Sequence, residues 1–182
     1  MCLILVDNSN IFIEGQKCSA KRKGVIRAQG EDRQPIDPSW RINFASLLVE
    51  LADNRAIYKS ILVGSRPPPK DAVWTMARSS GFEVITHDRD FNNKEKAIDT
   101  EIVAQGTRAI CRSPSPGVLV LASGDRDFIP LVKIAQDEGW TAEMVAFSSS
   151  FSSGGQMATT VDKIRHLDNC IERIGHHEFD WP

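Results

Sequence analysis

The sequence predicts an α/β fold, with a mainly parallel central sheet and helices on both faces. Three observations carry this class. Cys2–Val6 and Val118–Ala122 are apolar throughout, without alternation, as strands buried on both faces of a parallel sheet are. Further strand signals at Ile57–Val63, Phe82–Thr86 and Trp140–Phe147 alternate with stretches of helical periodicity, as crossover connections require. The two fully apolar runs also end alike, in an acidic residue and a short polar turn that leads into a helix.

Cys2–Val6 opens the sheet. It is apolar for only five residues after Met1 and has no basic segment ahead of it, so it reads as a strand and not as a secretion signal. Asp7-Asn8-Ser9-Asn10 forms the turn, and Ile11-Phe12-Ile13 begins the first helix. Asp7 suits a helix N-cap. Asn10 suits a turn, or an orienting partner for a carboxylate. Lys17–Arg41 lacks periodicity and is punctuated by Gly24, Gly30, Pro35 and Pro38. It carries Lys17, Lys21, Arg22, Lys23, Arg27, Arg33 and Arg41 against Glu31, Asp32 and Asp37. It reads as a long, mobile basic loop inserted beside the first acidic turn, either solvated or gripping phosphates.

Ile42–Asn54 is an amphipathic helix with Phe44, Leu47, Leu48 and Leu51 on one face. Strand Ile57–Val63 follows, then a stiff connection at Pro67–Pro69 and a helix Asp71–Ser80 that stops at Gly81. After strand Phe82–Thr86, His87 lies in a polar loop, where it is solvated or holds a metal. In helix Glu95–Cys111, Ile98, Ile102 and Ala109 form an apolar face, and Gly106 weakens the helix slightly. Asp99 lies near its start, where an acid favours the helix dipole.

A Ser/Pro loop, Arg112–Gly117, leads to Val118–Ala122 and the turn Ser123-Gly124-Asp125-Arg126-Asp127. Phe128, Leu131, Val132 and Ala135 then recur at helical spacing, in a helix that ends by Gly139. After strand Trp140–Phe147, the Ser/Gly run Ser148–Gly155 reads as a flexible crossing. Gln156–Thr160 is a short helix and Ile164–Leu167 an edge strand. Asp168–Ile174 is a closing helix with Asp168 as its N-cap. One domain is expected over 1–175, with a loose tail at 176–182.

Composition narrows the function classes. Hydrophobic residues make up 41% and charged residues 25%, as in ordinary soluble globular domains. The net charge of −2 gives no global field towards nucleic acid, so any basic surface is local. Cys2, Cys18, Cys111 and Cys170 are scattered without CxxC spacing, which argues against a zinc site or a disulfide framework and for a reducing cytoplasm. No stretch is long enough to span a membrane. There is no GxxxxGK[ST] phosphate loop, no GxGxxG after the first strand and no GxSxG elbow.

Acids supply the remaining chemistry. Asp7 and Asp125 follow strands, Asp127 lies two residues further on, and Asp99 lies near a helix start. All can meet at the carboxyl edge of the sheet, where open α/β folds bind ligands. Carboxylates gathered there repel one another and need a cation. Oxygen-rich sites suit Mg²⁺ or Mn²⁺, which activate water and stabilise the charge that develops in phosphodiester cleavage.

LILVDNSNIF paired with VLVLASGDRDFIPLV resembles the NYN domain family, the PIN-like nucleases. Lys96-Ala97-Ile98-Asp99 is similar to that family's Lys-Gly-Val-Asp motif, and Leu167-Asp168-Asn169-Cys170-Ile171 to its closing Ala-Asp-x-Phe-Ile segment. The resemblance runs from Cys2 to about Ile174, apart from Lys17–Arg41. It implies a Rossmann-like PIN fold and a metal-dependent ribonuclease. By this resemblance Asp7, Asp99, Asp125 and Asp127 are the metal-binding and catalytic acids, and Asn10 is the motif asparagine. Gln105 stands where many members have another acid. Arg126 stands where a small residue is usual, and reads as a phosphate contact or as a partner for an acid.

The leading expectation is an endoribonuclease using Mg²⁺ or Mn²⁺, with Lys17, Lys21, Arg22, Lys23, Arg27 and Arg126 on the RNA. A weak or inactive module of the same fold, binding RNA or a protein partner, is the alternative. A small-molecule phosphohydrolase is a third reading. No membrane contact is expected, and a homodimer is compatible with the sequence.

Overall fold

The computed structural model describes residues 1–25, 34–66, 71–88 and 94–181. Arg27, Gly30, Arg33 and Pro67–Pro69 lie outside the described residues. The chain begins β1 (Cys2–Asp7), α1 (Asn8–Arg22), β2 (Trp40–Ile42), α2 (Phe44–Ala52) and β3 (Ile57–Arg66). It continues α3 (Ala72–Ser79), β4 (Glu83–Asp88), α4 (Lys94–Arg112), β5 (Val118–Ala122) and, after a 3-10 turn Arg126–Phe128, α5 (Ile129–Asp137). Last come β6 (Thr141–Ala146), α6 (Gln156–Thr160), β7 (Lys163–His166), α7 (Ile171–Ile174) and β8 (Gly175–His177).

Six strands form a parallel sheet in the order β4-β3-β1-β5-β6-β7. The expected class holds. Every residue of β1 is buried, because both faces of the sheet are covered. Cys2, Ile4 and Val6 pack on one side with Ile11, Leu47, Leu51 and Val120. Leu3 and Leu5 pack on the other with Ile102, Leu119, Leu121 and Leu131. Each such side chain contributes roughly 1.5–3 kcal/mol on burial. Gly106 has a packing reason that propensity hides: a Cβ there would lie 2.7 Å from Leu5 and 2.8 Å from Leu131. Its absence lets α4 lie close on β1.

Three expectations are corrected. Residues 17–22 are helical, because α1 runs to Arg22 and not into a loop. Its later turns lack apolar periodicity since several of their buried residues are polar and paired. Glu14 is held by Lys17 and Ser149, and Ser19 by Asp37. Asp168 is no N-cap: it lies in a 3-10 turn, and its carboxylate accepts from the backbone N–H (2.8 Å) and hydroxyl (3.0 Å) of Ser148. The tail is not loose from 176. Gly175–His177 pairs antiparallel with Trp40–Ile42, and Lys23 donates to the Trp181 carbonyl at 2.8 Å while lying over its ring.

The sheet order places the site. From β1 the chain builds outwards through β3 and β4, then returns to the other side of β1 with β5, β6 and β7. The order reverses between β1 and β5, and such a switch point opens a crevice at the carboxyl ends of the strands.

Candidate active site

Val6 lies opposite Ala122 in the β1–β5 register, so the residues that follow, Asp7 and Ser123, emerge side by side at that crevice. Asp7 ends β1 in an extended conformation and caps α1. Its Oδ1 accepts from the Asn10 backbone N–H at 3.1 Å, and its Oδ2 faces the Ser123 hydroxyl at 3.5 Å. Asp7 is only 7% exposed. Burial pushes its pKa up to about 6, against the backbone N–H groups of Asn10 and Ser9, and the charge of Asp125 adds to the rise. Among the described residues Asp7 forms no ion pair.

Ser123 joins the two acids. It is fully buried, and its Oγ also accepts from the Asp125 backbone N–H at 3.2 Å. Asp125 caps the 3-10 turn, its Oδ1 accepting from the Asp127 N–H at 2.9 Å. Asp7 and Asp125 thus each cap a helical segment while standing at the carboxyl ends of neighbouring strands. Gly124 between them is set by close approach, since a Cβ there would come within 2.3 Å of Ser150 Oγ.

Two hollows flank this turn. One is lined by Asp99 and Thr100 of α4 together with Arg126, Asp127 and Pro130. The other is lined by Asn10, Gly124, Asp125 and Arg126, and by Ser150, Phe151 and Gln156 across from them. Arg126 is exposed, lines both, and forms no ion pair among the described residues. Of its two expected roles, the neutralising partner for an acid is not seen.

The four acids thus fall into two pairs. Asp7 lies beside Asp125, and Asp99 shares a hollow with Asp127. Among the described residues no three His, Cys, Asp or Glu side chains converge closely enough to hold a metal ion by themselves. A hard divalent ion does not require such a cage. Mg²⁺ is commonly held by one or two carboxylates plus waters and substrate phosphates. The donor set here fits that mode, because among the described residues neither Asp7 nor Asp125 pairs with a basic side chain and the buried Asn10 Oδ1 has no hydrogen-bond partner.

The other expected residues stand further off. Lys17 pairs with Glu14 at 2.6 Å, Arg22 bonds the Asp168 carbonyl and approaches Glu172, and Lys23 pairs with Asp37 at 3.2 Å. Lys21 is exposed in the last turn of α1, about 20 Å along the helix from Asp7 at 1.5 Å per residue. Gln105 donates to Glu101 at 2.8 Å and lines neither hollow. His87 belongs to β4 and not to a loop. Its Nε2 lies 3.3 Å from the Glu101 carboxylate at an angle that makes no hydrogen bond.

Sequence reasoning missed Ser123, Glu14 and the loop at 147–155. Glu14 is buried one turn beyond Asn10, and its Oε2 accepts from Ser149 Oγ at 2.5 Å. The spacing of Asp7, Asn10 and Glu14 marks one helix face, a signal that appears once α1 is known to continue.

No helix among the described residues is long and apolar enough to cross a membrane. A solved structure of a protein of unknown function from Vibrio parahaemolyticus RIMD 2210633 superposes with a TM-score of 0.65 at 16% identity. The match covers 92% of this chain and 93% of that one, and it shows the shared fold. None of the curated proteins matches the chain. The NYN domain matches residues 8–167, nearly the whole length over which the switch-point acids and the sheet are built. The chain therefore belongs to the NYN domain family, whose fold is that of PIN-like nucleases.

Proposed function

We propose that this protein is a metal-dependent endoribonuclease that hydrolyses RNA phosphodiester bonds at the Asp7–Asp125 edge. The observation that carries the reading is Asp7: a buried carboxylate beside a second carboxylate, with its pKa pushed up to about 6 and no ion pair among the described residues. Such a group is costly to the fold unless a cation is bound in the working state.

Asp7 and Asp125 would hold Mg²⁺ or Mn²⁺, with Asp99 and Asp127 acting from the neighbouring hollow directly or through water. Bound there, the ion supplies an activated water and offsets the charge gathering on the phosphate. Ser123 ties the Asp7 carboxylate to the backbone of Asp125, and the α1 backbone orients Asp7 through the Asn10 N–H. Arg126 carries a phosphate at the lip of both hollows. Lys21 extends the contact to more distant phosphates. The cysteines are free, the state a reducing cytoplasm maintains, and we assign the protein to that compartment.

The test is cleavage of an end-labelled single-stranded RNA with Mn²⁺, with Mg²⁺ and with EDTA, beside Asp125→Asn. Metal-dependent cutting that falls at least about a hundredfold in the variant is expected. RNA binding without cutting in any condition would favour the second reading, a catalytically weak NYN module that binds RNA or a protein partner. The lack of three converging acids among the described residues supports that second reading.

A further inference from the structure

The hollow beside Asp125 has a wall that hydrolysis does not use. Its loop, residues 147–155, is anchored where the composition suggests a flexible crossing. Ser148 donates to Asp168, Ser149 Oγ to Glu14, and the N–H and hydroxyl of Ser150 to the Phe147 carbonyl at 2.9 and 2.8 Å. With Ser148, Ser149 and Ser150 bonded to the body of the fold and to the loop itself, the loop presents Phe151. That ring is half-buried, packs on the core beneath, and lies 5.7 Å from the His166 ring at a 30° tilt. His166 is itself held by Ser148 Oγ at 2.9 Å. An aromatic surface fixed in this way needs little further ordering when a ligand arrives.

Around Phe151 stand polar side chains for which no partner is seen among the described residues. Asn10 Oδ1 is buried and unpartnered, Gln156 is exposed, and Arg126 lies at the lip shared with the other hollow. The hollow encloses about 540 Å³, within the roughly 300–1,000 Å³ common for sites that take small ligands.

We propose that this hollow is a nucleobase subsite: it takes one unpaired base of a single-stranded RNA stacked on Phe151, with the adjoining phosphate on Arg126. The assignment rests on the nuclease reading of the adjacent acids and adds its substrate class. A base inside a duplex is already stacked on both sides and cannot enter without being extruded, so the subsite selects single strands. The amides of Asn10 and Gln156 each offer donors and an acceptor, so the stack tolerates more than one base.

The test uses the full chain with Asp125→Asn in Mn²⁺, so that RNA is not consumed. Binding of a single-stranded RNA carrying one 2-aminopurine is followed by anisotropy and by the fluorescence of that base, beside a duplex of the same sequence. Phe151→Leu, which keeps an apolar contact with the core, is expected to weaken single-strand binding about tenfold and to abolish the 2-aminopurine response. Phe151→Trp is expected to retain both, and duplex binding is weaker than single-strand binding throughout. Gln156→Ala, at an exposed position, is expected to cost about threefold and decides the matter if Phe151→Leu fails to fold. Single-strand binding unmoved by Phe151→Leu and Gln156→Ala overturns the subsite, as does duplex binding of equal strength or no RNA binding at all. Wild-type cleavage separates the two ideas. Cutting with an unaltered Phe151→Leu removes the subsite alone, whereas Phe151-dependent binding without cutting removes the nuclease and keeps the subsite.

Discussion

Helix α1 touches a buried carboxylate near each of its ends. Near its carboxyl end lies Asp37, fully enclosed, which accepts from Ser19 Oγ at 2.6 Å and from the N–H and hydroxyl of Ser39 at 2.9 and 2.5 Å. Lys23 Nζ lies 3.2 Å away and His177 Nδ1 3.3 Å. Burial pushes the Asp37 pKa up, but these donors outweigh it and hold the group well below the usual carboxylate range. At the amino end lies Asp7, buried almost as deeply, with the uncharged donors of Asn10, Ser9 and Ser123, an acidic neighbour and a pKa pushed up to about 6. Glu143 repeats the Asp37 pattern: burial raises it, and Arg55 and Arg165 more than compensate. Where a carboxylate serves the fold, the fold supplies its donors. Asp7 is buried with no Lys, Arg or His paired to it among the described residues, and that difference marks the site more sharply than the count of acids does.

The contrast breaks most visibly in stability. Asp37→Ala leaves Lys23 and two seryl groups facing an emptied, enclosed space, and is expected to cost about 3 kcal/mol in urea unfolding at pH 7. A loss under about 1 kcal/mol would mean that the donors around Asp37 hold less than their geometry implies. Asp7→Asn is expected to act in the opposite direction. The folded pKa of Asp7 is raised, so the folded state binds the proton more tightly than the unfolded chain does. Its stabilisation is complete below the unfolded value near 4 and is lost as pH rises through about 6. The whole span is about 3 kcal/mol. Asparagine is expected to unfold at higher urea than wild type at pH 7.5, by about 2 kcal/mol, and to converge with it at pH 4.5. Under the proposed function, cleavage is expected to be lost in the same variant. A variant less stable at pH 7.5 would show Asp7 to be a structural cap like any other.

The sequence displays one side of this contrast better than the other. Asp7 and Asp125 are legible because an acid stopping a fully apolar run is conspicuous, and β1 and β5 are legible because both their faces are buried. Their meeting at one edge is expected, but the strand order that makes them direct neighbours is not legible: β3-β1-β5 pairs β1 with a segment over a hundred residues away. The polar devices are hidden for the same reason. Ser148 finds Asp168, Ser149 finds Glu14, and Ser19 finds Asp37, each through a fold that local spacing does not encode. So α1 reads as a loop from Lys17, where Cys18, Ser19 and Ala20 are buried but lysines and an arginine surround them, and the tail reads as loose although β8 pairs with β2. Phe151, alone in a Ser/Gly run, gives no periodic signal at all.

Divalent metal sharpens the comparison at the next level of effect. Mn²⁺ in hundredfold excess over its dissociation constant is expected to stabilise the wild type by about 2.7 kcal/mol, read as a rise in melting temperature. Asp7→Asn and Asp125→Asn are expected to show no rise, and neither the Asp37 nor the Glu143 cluster, already neutralised, adds one. A rise retained in both variants would move the ion to the Asp99–Asp127 hollow.

The smallest effect expected is that of Gln105→Glu, which restores the acid that many NYN members carry there. Gln105 is six residues beyond Asp99, about 120° round the helix, and its amide is spent on Glu101 one turn earlier. A glutamate at 105 would face Glu101 at i,i+4 spacing, and is expected to lower stability by about 0.3–0.5 kcal/mol while leaving Mn²⁺ affinity and cleavage unchanged. Tighter Mn²⁺ binding in that variant would show that α4 turns this face into the site when metal is bound. The two acid pairs would then be halves of one centre, and the division between a cation-free edge and satisfied structural carboxylates would have to be redrawn to include α4.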